Sequence, residues 1–96
     1  MTLNSMTLDQ KKTLATIGHP KHLDQLVSDE DPSVRLAVAE HGNDSHRDKL
    51  VSDKHPDVRV AVARHGNKDH ATKLLKDKDV GVKSGATQRL KELEGK

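Results

Sequence analysis

Apolar residues recur at helical spacing in the middle of the chain. Val34, Ala37 and Val38 stand at positions i, i+3 and i+4, which places them on one face of an α-helix. Asp31 is a suitable N-cap, and Pro32 suits the first turn because that turn leaves its N–H groups without helical partners. We therefore predict a helix, called helix A, over Pro32–His41, and its counterpart over Pro56–His65.

A second, shorter helix follows each helix A. Gly42 is expected to end helix A in the left-handed backbone conformation that glycine adopts without strain. After a turn, Leu50 and Val51 close a short amphipathic stretch, so we predict a helix B over residues 45–52 and over residues 69–76. Helices this short are marginal alone in water, so stacking of the units must stabilise them.

The whole pattern repeats with a period of about 24 residues, within the range typical of repeat architectures. Segments 29–52 and 53–76 are identical at 13 of 24 aligned positions without a gap. Segment 5–28 matches segment 29–52 at seven positions and is a diverged first unit, whereas the last segment matches less well. We predict a single domain over residues 1–96, built from units at about 5–28, 29–52, 53–76 and 77–96.

The two end units are atypical, as the ends of a stack require. In the first unit, Thr7 and Gln10 have the spacing of a capping box. Leu14 and Ile17 take the apolar positions, and Gly18 ends the helix. In the last unit a leucine replaces the terminating glycine, so the helix is expected to run on through residue 93. Its predicted apolar stripe consists of Val82, Ala86, Leu90 and Leu93.

Two segments carry a resemblance to known repeats: D-P-S-V-R-L-A-V-A-E-H-G-N (residues 31–43) and H-P-D-V-R-V-A-V-A-R-H-G-N (residues 55–67). They resemble HEAT-like repeats and the leucine-rich repeat variant, and the resemblance extends over about residues 5–83. It implies an all-α fold, a right-handed α-α superhelix of the armadillo-like type, here a solenoid of about four two-helix repeats, each of about 24 residues. Proteins of these families mostly bind other proteins and sometimes bind nucleic acids.

The composition narrows the possible chemistry. The chain has no cysteine, which excludes disulfides, thiolate metal sites and the iron–sulfur cluster known beside some variant repeats. It has no aromatic residue, which excludes recognition of nucleic acid by stacking on bases. No apolar run approaches the ~20 residues of a membrane span, and no signal-peptide core follows Met1. We expect a cytoplasmic protein without membrane contact and without a cofactor.

The apolar content is low for a folded chain, at 31% hydrophobic against 33% charged residues. Leu, Ile, Val and Phe together make up 21 of 96 residues, which is close to the ~20% below which disorder is expected. The repeat argues against disorder, because each unit needs only a few Val, Ala and Leu residues to pack on its neighbours.

Histidines recur at the start of each helix B. His22, His46 and His70 stand one repeat period apart and are expected to form a histidine ladder on one face, with Lys49 and Lys73 at i+3 beside them. If helix B lines the concave side, as in HEAT-like proteins, this row of five residues is a partner-binding surface for an acidic peptide or a phosphate backbone. The alternative is that they are solvent-facing side chains duplicated with the unit.

Basic residues form a second ladder, made of Arg35, Arg59 and Lys83. The resemblance to HEAT repeats implies that such a row pairs with aspartates and bridges neighbouring units. The alternative is that the three residues contact anions, since guanidinium groups suit phosphate and carboxylate. The aspartates that accompany them along the chain are Asp29, Asp53 and Asp77.

His41 and His65 end the two A helices on the apolar side. We expect each to be half-buried and bonded to a turn carbonyl. A zinc site shared with His46 and His70 is the alternative, but zinc needs about four ligands near ~2 Å, whereas packed helices lie ~8–10 Å apart. No metal site is therefore predicted.

Catalytic motifs are absent: the chain has no Gly-rich phosphate loop, no G-x-S-x-G and no H-E-x-x-H. We predict a non-enzymatic binding module or scaffold that contacts another protein through its helix-B surface. The alternative is a protein that binds the phosphate backbone of duplex nucleic acid through the basic ladders, although a net charge of +2 is modest for that role. The terminal units also offer a place where two copies could pair end to end.

Overall fold

The computed structural model of the protein describes residues 5–95. Over these residues it contains seven α-helices and no strand, so the fold is all-α. The helices are α1 (Leu8–Ile17), α2 (Pro20–Leu26), α3 (Pro32–His41), α4 (Asp44–Leu50), α5 (Pro56–His65), α6 (Lys68–Leu74) and α7 (Val80–Glu94).

The odd-numbered and even-numbered helices have different neighbours. Helices α1, α3, α5 and α7 form a row in which each contacts the next. Helices α2, α4 and α6 each contact the odd-numbered helix before them and the one after them. The body measures 43 × 27 × 17 Å, and its smallest dimension corresponds to about two packed helices at ~8–10 Å between axes.

The hydrophobic core lies between the two sets of helices and is built from aliphatic side chains. Each central odd-numbered helix contributes a valine pair, Val34 with Val38 in α3 and Val58 with Val62 in α5, all fully buried. The even-numbered helices contribute leucines that pack against them, so the apolar part of the core contains no aromatic residue. The buried leucines are Leu23, Leu26, Leu50 and Leu74.

The helix boundaries agree closely with the sequence pattern. Helices α3 and α5 have the predicted bounds of helix A, and Asp31 caps α3 by accepting a hydrogen bond from the Ser33 N–H. Helices α4 and α6 begin one residue earlier than predicted and end two residues earlier. The early start follows from Asn43 and Asn67, whose side chains accept from the N–H groups three residues on and thereby fix the first turn.

The conformation predicted for Gly42 is wrong. Gly42 has φ −83° and ψ −172°, and Gly66 has φ −77° and ψ 176°, so both are extended rather than left-handed. Within residues 5–95 only Gly18 has a positive φ, of 77°. The chain leaves α3 extended because the next residue, Asn43, is already the N-cap of α4.

The end helices confirm part of the prediction. Thr7 and Gln10 form the capping box of α1, and α7 continues past residue 93 as expected. Ile17, however, is 66% exposed rather than packed. Leu93 is 37% exposed, since the last turn of the terminal helix has neighbours on one side only.

Candidate interaction surface

Buried arginines join successive units through carboxylates. Arg35 of α3 donates from Nε to Asp53 Oδ2 at 2.7 Å and from Nη2 to Asp53 Oδ1 at 3.0 Å. Its Nη1 donates to the main-chain oxygens of Asp29 at 2.8 Å and Glu30 at 3.0 Å. One guanidinium therefore holds both the loop before its own helix and the loop before the next odd-numbered helix.

The same arrangement recurs one unit later. Arg59 donates from Nε to Asp77 Oδ2 at 2.8 Å and from Nη1 to the main-chain oxygen of Asp53 at 2.7 Å. In both pairs the carboxylate lies 18 residues after the arginine, in the next unit. In the first unit a lysine takes the place of arginine, and Lys11 Nζ lies 2.8 Å from Asp29 Oδ2.

This geometry decides between the two roles considered for the basic ladder. The guanidiniums of Arg35 and Arg59 are buried and bonded to protein oxygens, which favours the bridging role over contact with an external anion. The aspartate bound by each is the one in the following unit, not the one that precedes it in its own unit. Lys83, the equivalent residue of α7, is exposed and forms no ion pair within residues 5–95.

The carboxylates of these pairs are held in the ionised form. Burial by itself would raise the pKa of Asp53, but hydrogen bonds from Arg35 and from the His55 N–H outweigh burial and hold that pKa below its ordinary value. The hydrogen bond to Asp53 in turn raises the pKa of Arg35. The pKa of Asp77 is also lowered, because bonds from the Asp79 N–H and from Arg59 outweigh burial.

The histidine ladder is mostly internal rather than a surface. His46 is 1% exposed, and its Nδ1 accepts a hydrogen bond from the Asn43 N–H at 3.1 Å. Because Nδ1 accepts, the ring proton lies on Nε2, which donates to Asp24 Oδ1 at 2.6 Å. His70 repeats this arrangement with Asn67 at 3.1 Å and Asp48 at 2.6 Å.

The prediction that these histidines contact a partner is therefore wrong for His46 and His70. Each forms the second half of a capping box and reaches back 22 residues to an aspartate on the even-numbered helix of the preceding unit. Both ring nitrogens are engaged, which leaves none for zinc. Within residues 5–95 no group of three or more His, Cys, Asp or Glu side chains could hold a metal ion.

His22 differs from its two counterparts because the first unit has a different N-cap. His19, rather than an asparagine, caps α2, and its Nδ1 accepts from the Lys21 N–H at 3.2 Å. His22 is half-buried, and its Nδ1 is buried without a hydrogen-bond partner among the described residues. The ladder therefore consists of two equivalent histidines and one end residue.

The sequence prediction missed Asp24 and Asp48, although the repeat contains a signal for them. Both occupy the same unit position, and each unit that has this aspartate is followed by a unit with a histidine at the start of helix B. The third unit has Thr72 at that position, and the fourth unit has no histidine to bind. An aspartate that appears only where the next unit supplies a histidine indicates a contact between units.

Two further arginines, for which the sequence pattern predicted no role, bind main-chain carbonyl groups at the carboxyl ends of helices. Arg47 Nε donates to the Ala39 carbonyl oxygen at 2.8 Å, and Arg89 Nε donates to the Gly66 carbonyl oxygen at 2.8 Å. They thereby satisfy carbonyl groups at the carboxyl ends of α3 and α5. Partial burial of the His65 ring, together with the nearby positive charges of Arg47 and Arg89, lowers its pKa.

His41 and His65 are exposed, contrary to the expectation that they are half-buried. They lie in the last turns of α3 and α5, where the equivalent position of α1 holds the exposed Ile17. Lys49 and Lys73 are exposed, as predicted. The external part of the predicted helix-B row therefore consists of lysines.

Comparisons of the chain with protein-family models, with curated proteins and with solved structures found no match. None of the helices within residues 5–95 is long and apolar enough to cross a membrane. The function is therefore inferred from the geometry of the chain itself.

Proposed function

We propose that the protein is a right-handed α-α solenoid of about four HEAT-like repeats, and that it is a non-enzymatic module that binds another protein. The observation that carries this proposal is the recurrence of two contacts at fixed separations. A basic residue binds the aspartate 18 residues on in three successive units, and a histidine binds the aspartate 22 residues back in two. Identical contacts between successive units favour regular stacking, as in repeat proteins.

The burial and hydrogen bonding of the polar side chains favour a binding role over a catalytic one. The side chains best suited to acid–base chemistry, His46 and His70, are buried and engaged at both ring nitrogens. Arg35 and Arg59 are likewise bonded to carboxylates. The buried repeated residues thus hold the units together, whereas the exposed Lys49 and Lys73 remain accessible to a partner.

The surface that we assign to the partner is the outer side of the even-numbered helices, centred on Lys49 and Lys73. Both lysines are exposed, and within residues 5–95 neither forms an ion pair. Free cations on a rigid surface favour a partner with acidic groups. Duplex nucleic acid is less well supported, because its proposed contacts Arg35 and Arg59 are occupied.

The test compares two matched charge reversals. The full chain serves as bait in a cell extract, captured proteins are identified by mass spectrometry, and the affinity of each purified candidate is measured. K49E/K73E is expected to weaken the affinity of the true partner about tenfold or more, because the contact surface changes sign. The control K21E/K91E makes the same net charge change elsewhere and is expected to stay within about twofold.

If the partner binds wild type and K49E/K73E with equal affinity, the assignment of partner binding to the helix-B surface is wrong. A gel-shift titration with a DNA duplex at low salt tests the alternative directly. Retardation that disappears with added salt would show binding to the phosphate backbone and would overturn the choice of a protein partner.

A further inference from the structure

Four lysines line one open groove at the junction of the third and fourth units. The groove has a volume of about 690 Å³ and lies between the loop that follows α4 and the loop that follows α6. The half-buried Val51 contributes apolar surface to its lining, beside the buried Leu74. The four residues, here called the lysine groove, are Lys54, Lys73, Lys76 and Lys78.

The positive charge of the lysine groove is not neutralised from within. Two carboxylates also line it, Asp53 and Asp77, but both are bound by buried arginines at 2.7 Å and 2.8 Å. None of the four lysines forms an ion pair with any side chain in residues 5–95, and all four are exposed. Arg59 also lines the groove, so the lining carries five positive and two negative charges, an excess of three positive charges close to an apolar surface.

Stacking of the units does not require this charge. At the preceding junction the equivalent positions hold Glu30, Lys49, Ser52 and Lys54, which together carry a charge of only +1. The arginine–aspartate pair at that junction is nevertheless formed with the same geometry. Concentrating like charges in one groove costs stability through mutual repulsion, so a ligand that neutralises them explains the arrangement.

We propose that the lysine groove binds an extended acidic segment of the partner protein, whose aspartate and glutamate side chains face the four lysines. An aliphatic side chain of that segment then covers Val51. This inference rests on the proposed function, since it names the chemistry that the binding module recognises.

The surroundings of the groove favour a peptide over duplex nucleic acid. The neighbouring outer side of α4 carries Asp44 and Asp48, both largely exposed, and their carboxylates oppose a polyanion that runs along the molecule. The groove spans a single unit junction, which suits a short segment. Its apolar surface has no counterpart on a sugar–phosphate backbone but suits an aliphatic side chain.

The experiment measures binding of a defined acidic peptide to the full chain. The probe is a fluorescein-labelled peptide of about ten residues, rich in glutamate with a central leucine, and the matched probe replaces each glutamate with glutamine. Fluorescence anisotropy is recorded at about 50 mM salt, where interactions between exposed charges are still strong. The glutamate peptide is expected to bind wild type, and the glutamine peptide is not.

Two triple variants locate the site. K54Q/K76Q/K78Q removes three charges from the groove and is expected to weaken peptide binding about tenfold or more. K21Q/K83Q/K91Q removes the same charge from exposed positions elsewhere and is expected to change it less than about threefold. All six lysines are exposed, and equal melting temperatures of the two variants show that folding does not explain a difference.

Equal weakening by both triple variants, or absence of binding to wild type, would overturn the assignment of the groove. Neither result contradicts the proposed function, because that function is tested separately, by measuring the affinity of the native partner for K49E/K73E. Lys73 is unchanged in both triple variants. Loss of partner binding in K49E/K73E but not in K54Q/K76Q/K78Q would likewise reject the groove while supporting the helix-B surface.

Discussion

At the residue scale, Gly42 and Gly66 show that close packing can require a glycine where backbone conformation does not. Both have an extended backbone that any residue adopts. A Cβ on Gly42 would lie 2.6 Å from the Val38 carbonyl oxygen and 2.9 Å from His46 Nδ1. The glycine therefore leaves room for the buried histidine that caps the next helix.

We expect Gly42→Ala to lower the free energy of unfolding by about 1–3 kcal/mol, as an overpacked site does. Gly85 supplies the matched control, because its Cβ would lie 3.4 Å from Ala63 Cβ, an ordinary contact, within helix α7. Gly85→Ala is expected to raise the free energy of unfolding by up to about 1 kcal/mol through helix propensity. Urea unfolding followed by far-UV circular dichroism measures both, and a stabilising Gly42→Ala would contradict the packing argument.

At the element scale, short helices are held by contacts at their ends. The N-caps of α4 and α6 combine an asparagine with a histidine at the third helical position, and that histidine also reaches the previous unit. Local capping and packing between units therefore share one side chain. This coupling explains how α4 and α6, far below the length that is stable alone, persist here.

The basic–aspartate pairs differ in burial and geometry, so their contributions to the free energy of unfolding should differ in a predictable order. Arg35→Ala removes a bidentate, buried ion pair and is expected to lower the free energy of unfolding by about 3–5 kcal/mol. Lys11→Ala breaks the equivalent but more accessible pair with Asp29, and should cost about 1 kcal/mol. Arg35→Lys keeps the charge but loses the two-pronged geometry, so an intermediate cost is expected.

Urea unfolding of the three variants checks this order. Equal costs for Arg35→Ala and Lys11→Ala would show that burial and bidentate geometry do not determine the strength of these pairs. If Arg35→Ala does not fold, the difference between Arg35→Lys and Lys11→Ala still tests the argument.

At the scale of the whole molecule, the stability of the fold depends on ionised carboxylates. The pKa values of Asp53 and Asp77 lie below the ordinary value of 3.8 in the folded chain. Each lowered pKa stabilises the fold above the unfolded value and ceases to do so as pH falls through the folded value. The molecule should therefore lose stability in acid, below about pH 4.

The variant Asp53→Asn tests how much one of these ionised carboxylates contributes to the pH dependence of stability. At pH 7 we expect the variant to be less stable than wild type by about 2–3 kcal/mol, because a charged hydrogen-bond partner of Arg35 is lost. The difference should shrink as pH falls through the lowered pKa of Asp53, since wild type then loses the same charge. Unfolding curves at several pH values measure it, with Glu94→Gln, an exposed site, as control. A difference independent of pH would contradict the linkage.

The helices and their period could be predicted because their signals are local. Asp31 and Pro32 start α3, valines at helical spacing form its buried face, and the same valine and proline signals recur in the next unit. The bounds of α3 and α5 were therefore predicted correctly from these local signals. The exposure of Ile17 does not follow from its hydrophobicity, although the same repeat position holds the exposed His41 and His65 in α3 and α5.

The sequence by itself determined the all-α class, the bounds of α3 and α5 and the exposure of Lys49 and Lys73, since each depends on side chains that lie close together in the sequence. Only the tertiary structure decided which polar groups meet. Arg35 binds the aspartate of the next unit, and His46 is buried against Asp24. These partners lie 18 and 22 residues apart, and only the packing of one helix pair on the next brings them into contact.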